Sequence, residues 1–154
     1  MQSFRIRGLD AKIFEHLFLL PDAELASHNA RRMVATDLGF PCRVSLTDAA
    51  PGDEVVLVNF EHHAVESPYR SSYAIFVRAG EHQYDAIDDV PEQLRKRSLS
   101  LRGYDRNGMM RSAVLVDGRE LENGIARLFD ERAIAYVHAH FAAYGCYAAL
   151  IERH

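Results

Sequence analysis

Ala133-Ile134-Ala135-Tyr136-Val137-His138-Ala139-His140-Phe141-Ala142-Ala143-Tyr144-Gly145-Cys146-Tyr147-Ala148-Ala149-Leu150-Ile151-Glu152-Arg153 admits two windings, and the choice decides the fold. As a helix, Ile134, Val137, Phe141, Tyr144, Ala148 and Ile151 form one apolar stripe, and the alanines favour that state. As a hairpin, Val137, Ala139 and Phe141 face one way and Tyr136, His138 and His140 the other. Ala143-Tyr144-Gly145 then makes a three-residue loop with glycine in the left-handed position. The hairpin is preferred, because glycine inside a helix costs about 1 kcal/mol relative to alanine and the loop asks for glycine there.

Upstream the pattern is also strand-rich. Ser98 to Tyr104 alternates, Asp105-Arg106-Asn107-Gly108 supplies a turn, and Met109 to Val116 alternates again, which predicts a second hairpin. Glu54 to Phe60, with Val55-Val56-Leu57-Val58, reads as a core strand, and Tyr73 to Val77 as another. Shorter strands are expected over Ser3–Arg7 and Arg32–Ala35. Helices are expected from Asp10 through Ile13, Phe14, Leu17 and Phe18, from a cap at Asp22, after Pro91, and over Arg119–Phe129. The fold class is therefore α+β: a mostly antiparallel sheet with a few short helices packed on it, as one domain over residues 1–154.

Composition narrows the function. With 154 residues the chain buries roughly 70% of its unfolded surface, so folding needs neither metal nor disulfide. A net charge of −4 argues against a broad nucleic-acid surface. Of the 18 basic residues only Lys12 and Lys96 are lysine, a bias that suggests GC-rich coding and a bacterial source. The opening Met1–Arg7 lacks the apolar run of a secretory signal, and Ile13–Leu20 is too short and too polar to span a bilayer. A cytoplasmic protein without membrane attachment is expected. Cys42 and Cys146 are too few for a disulfide scaffold and too far apart for a CxxC motif.

The polar residues of interest form islands beside the expected strands: Gly39–Leu46, Asn59–His63, Ser67–Arg70 and the final hairpin. Three readings follow from them. The preferred one is a pocket for a small anionic molecule, carboxylate or phosphate, built from Arg43, His62, Tyr69, Arg70 and Arg102, since the arginine fork suits two-point contact with oxyanions. Its plainer rival is that these arginines pair with the 22 acidic side chains.

The alternative is a cysteine/histidine-dependent or metal-dependent enzyme using Cys146, His138 and His140, with Cys42 beside Arg43 as a second thiol candidate. The three-residue loop would pair Cys146 with Ala142 and place its thiol on the histidine face. His138, His140 and Cys146 would then be three ligands, with His62 or Cys42 completing a shell. Because His-x-His in a strand has little specificity, and buried cysteines are commonly inert, no metal or cofactor is implied. The third reading is a non-catalytic homodimer joined through an apolar strip such as Met109-Met110 or Phe141/Tyr147.

Gly-Phe-Pro-Cys-Arg-Val-Ser-Leu at 39–46, Glu-His at 61–62, Pro-Tyr-Arg at 68–70, Ile-Phe-Val-Arg at 75–78 and Gly-Cys-Tyr at 145–147 together resemble the bacterial domain of unknown function family 1203. The islands come in the family's order over nearly the whole chain. The resemblance implies a small bacterial single-domain protein and carries no activity with it.

Overall fold

In the computed structural model, which describes residues 2–154, alternation at the amino end produces β1 (Phe4–Arg7), with Phe4 and Ile6 buried. The next apolar run folds as two 3-10 segments, Ala11–Ile13 and Glu15–Leu19, instead of one α-helix. Asp10 caps the first by accepting from the Lys12 amide. Tighter winding eclipses positions i and i+3, so Phe14 and Leu17 still enter the core together while Ile13 stays exposed. In α1 (Asp22–Ser27) Pro21, not Asp22, occupies the N-cap. Asp22 instead pairs with Arg32.

Three strands form a small antiparallel sheet in the order β2 (Ala30–Val34), β3 (Glu54–His63), β4 (Ser71–Val77). A longer sheet takes the order β5-β1-β9-β8-β6-β7 from β5 (Asp85–Ile87), β6 (Ser98–Tyr104), β7 (Met110–Asp117), β8 (Tyr136–Phe141) and β9 (Tyr147–Arg153). Every strand pairing in both sheets is antiparallel. Two helices, α2 (Glu92–Arg95) and α3 (Leu121–Phe129), complete the α+β architecture.

The long sheet has one apolar face. Leu99, Leu101, Val137, Ala139, Phe141 and Ile151 pack there with Leu121, Ile125 and Leu128 of α3 in the main core. Gly103 lies on that side because an added Cβ would meet the Ile134 side chain at 2.6 Å. The other face of β6 and β8 carries Ser100, Arg102 and Tyr104 opposite His140, His138 and Tyr136. The far end of β3 meets this polar face, and the small sheet keeps a separate core around Leu25, Val56, Val58 and Ile75.

The last hairpin forms as expected, with Gly145 at φ 77°, but its loop has four residues. The Phe141 amide donates to Cys146 O at 2.9 Å, so Ala142–Gly145 close the turn and Phe141 faces Cys146. Side chains alternate with period two, so one additional loop residue turns Cys146 to the opposite face. Its thiol joins Phe141 in the main core and does not stand beside the histidines.

Candidate metal centre

Three imidazoles meet where β3 crosses β8. His138 and His140 project from one face of β8 because they are two residues apart. His62 comes from the other sheet, where the β3 and β4 registers shift between Phe60 and His63. Such a bulge breaks strict alternation and re-aims side chains. His62 and His63 consequently both reach His138, with ring centroids at 6.3 and 5.2 Å. A second bulge, between Ala139 and His140 in the β8–β9 register, sets Tyr147 opposite His140, and Tyr147 stacks on His62 at 5.4 Å.

One ring nitrogen from each of His62, His138 and His140 lies within 4.8 Å of the other two. The His140 Nδ1–H donates to Gly145 O at 2.9 Å, and since a carbonyl only accepts, the lone pair sits on Nε2. The buried nitrogens His62 Nδ1, His138 Nδ1 and His140 Nε2 have no hydrogen-bond partner. Buried polar atoms are normally satisfied, so three clustered imidazoles that each carry an unpartnered buried nitrogen call for a ligand.

The electrostatics hold the donors neutral. Burial, reinforced by the positive charge of neighbouring histidines and Arg102, lowers His138 to about 2. Burial likewise takes His140 to about 3, against the opposing effect of the bond it donates to the Gly145 carbonyl. His62 falls to about 4 through burial, then His63 and Arg102. Because these values lie below the unfolded 6.5, the unfolded chain takes up protons first as pH falls. The contribution to stability is complete above about pH 6.5 and is lost on acidification toward the folded values. Lowering pH from 7.5 to 5 is expected to cost about 2–4 kcal/mol through His138 and His140, read as a falling urea midpoint; a flat midpoint contradicts the assignment.

A tyrosine and histidine shell surrounds the donors. His63 Nδ1–H donates to Tyr69 O at 2.9 Å, leaving Nε2 to accept from Tyr136 Oη at 2.6 Å. Tyr104 stacks on Tyr136 with centroids at 5.4 Å, and Tyr69 stands 6.3 Å from Tyr104 at the rim. Of this shell, His63, Tyr104 and Tyr136 lack any assigned role in the sequence reading. Tyr136 shares the face of His138 by alternation, whereas the turning of His63 depends on the β3 bulge, which has no local signature.

The other expected residues are placed elsewhere. Arg70 is exposed and bonded at two points to Glu61, at 3.1 Å each. Arg43 is 1% exposed and ties the two sheets together, with Nε donating to Tyr147 O at 2.8 Å and Nη1 to Pro41 O. Of Arg43, His62, Tyr69, Arg70 and Arg102, the fold sets Arg102 opposite His138 and close enough for its charge to act on His62, with Tyr69 beside Tyr104. Phe141 and Tyr147 are both buried and do not make an exposed dimer strip, while Met109 remains partly exposed.

Both cysteines are free and buried. Burial pushes the Cys42 thiol up to about 12, which removes the thiolate a nucleophile needs. Neither cysteine is expected to react with a thiol reagent at pH 8 until the chain is unfolded, when two equivalents should titrate. Rapid labelling of the native protein would restore a thiol mechanism. A groove of about 820 Å³ lies on the Cys146 side, lined by Phe40, Phe76, Phe141 and Arg97 among others, apart from the histidines.

Fold and site define a small antiparallel α+β protein with a buried histidine cluster between two sheets. Residues 39–153 match the family model described as Protein of unknown function (DUF1203), and the chain belongs to that family. The matched span includes all three clustered histidines and Arg102. No curated protein and no solved structure matches the chain. Among the described residues no helix is long and apolar enough to cross a membrane.

Proposed function

We propose that the protein binds a divalent transition metal, zinc or a chemically similar ion, through His62, His138 and His140. The observation that carries this reading is the clustering of three imidazoles from two different sheets, each with a buried ring nitrogen that has no hydrogen-bond partner. Imidazole suits zinc, copper, iron and nickel, and three protein ligands with a further open position is the arrangement of catalytic rather than structural zinc. Zinc–nitrogen bonds of about 2.0–2.1 Å in tetrahedral geometry place donor atoms ~3.4 Å apart, inside the 4.8 Å within which the three donors lie.

The Gly145 carbonyl already orients His140, as supporting shells do in metal sites. A metal bound here would supply Lewis acidity and an acidified water, chemistry that suits attack by water on a small polar substrate. The pocket for a small anionic molecule is retained as part of this reading, with Arg102 as its arginine.

The test is direct. Protein incubated with Zn²⁺ and dialysed against metal-free buffer is expected to retain about one equivalent by elemental analysis. Retention below about a tenth of an equivalent overturns the proposal.

A further inference from the structure

Arg102 is the charged residue nearest the donors in the strand register. It lies directly opposite His138 in the β6–β8 pairing, with Ser100 opposite His140. Directly opposed residues share a face with Cβ atoms about 4.5–5.5 Å apart, so the guanidinium belongs to the same wall as the proposed ligands. Among the described residues Arg102 makes no ion pair with a carboxylate; its Nε stands 3.4 Å from Ser100 Oγ, and its guanidinium lies beside the Tyr104 hydroxyl. Arg70, Arg78, Arg95 and Arg97 all pair with carboxylates.

Ligation requires each imidazole to be neutral. A divalent ion on three neutral donors therefore keeps its full double charge, and Arg102 adds a third positive charge beside it. No carboxylate belongs to the donor set. Concentrated positive charge in a partly buried site is stabilised by an anion that pairs with it. An oxyanion with two free oxygens meets both requirements, because one oxygen can fill the open coordination position while another takes the arginine fork.

We propose that the substrate or ligand of this centre is a small oxyanion, a carboxylate or a phosphate, held with one oxygen on the metal and another on Arg102. This rests on the metal reading given above and deepens it. Ser100 and Tyr104 flank Arg102 on the same face of β6, so they border the anion's position. Arg43 and Arg70 take no part, since each is committed to other partners.

The experiment uses the full chain loaded with Co²⁺, whose visible bands report changes in coordination, titrated separately with inorganic phosphate and with acetate. At least one of the two is expected to shift the bands in the wild-type protein. Arg102→Ala should weaken that anion at least tenfold while Co²⁺ affinity changes less than threefold, and Arg102→Lys should recover part of the loss. The more tightly bound anion identifies the phosphate or carboxylate class.

Unchanged bands in the wild type, or equal anion affinity in Arg102→Ala, overturn the inference and leave the metal reading standing. If Co²⁺ does not bind, the metal reading fails, and titration of metal-free protein with phosphate by calorimetry decides the rest. Binding lost in Arg102→Ala would then support the arginine half of the site, and absence of binding would overturn both.

Discussion

Alanine at His138, His140 or His62 is expected to weaken Zn²⁺ binding by at least about 100-fold, because removal of an outer-shell partner alone typically costs 10–100-fold and these are the proposed ligands themselves. The measurement is competition with a chromogenic chelator at pH 7.5. His62→Ala is the cleanest variant: His62 lies at the partly exposed rim, whereas His138 and His140 are 5% and 1% exposed. Circular dichroism should therefore show an unchanged fold for His62→Ala together with the lost affinity. His63→Ala removes an imidazole from the shell outside the proposed ligand set, so its effect should fall in the lower 10–100-fold range. Zinc affinity within about threefold of wild type in His62→Ala would refute a three-histidine centre.

Arg43→Ala is expected to destabilise the protein by about 3–5 kcal/mol, through unsatisfied carbonyls plus a cavity. The side chain donates to Tyr147 O in β9 and to Pro41 O, and its backbone amide donates to Phe76 O in β4 at 3.0 Å. One residue thus links the small sheet to the long one. Its guanidinium also lies 5.0 Å from the Phe141 ring centroid, a cation–π contact.

Burial opposes the charge and lowers the Arg43 pKa, yet arginine keeps its proton in proteins. The balance still favours the native residue, because truncation strands two buried acceptors and empties a large volume. The fall in melting temperature should be on the order of 10 °C, at about 2–4 °C per kcal/mol for a chain of this size. A loss under about 1 kcal/mol would show that the sheets dock without this link.

The strands were legible because their signal is local. Alternation identifies β6, β7 and the core stretch of β3, and Gly145 favours a hairpin over a helix at the carboxyl end. The helix expected after Asp10 failed for a related reason: apolar spacing there fits both α and 3-10 winding, and packing against the small sheet's core chose the tighter form. The extent of β3 was also underestimated. The strand continues through Glu61 to His63, so its polar end lies within the pairing instead of beyond it.

For the site, the sequence by itself determined that His138 and His140 share one strand face with Tyr136, since period-two geometry leaves no other arrangement once the segment is extended. It also placed Arg102 in a strand. Tertiary structure alone decided the rest. The four-residue loop turned Cys146 into the core, and the β3 bulge turned His62 and His63 toward His138.

Docking of the small sheet's end on the polar face then brought His62 to within 4.8 Å of the pair. The physical reason is parity. A face is assigned by counting residues along a strand, and one added residue in a loop or bulge reverses the count. Whether that residue is accommodated depends on packing between segments far apart in the chain.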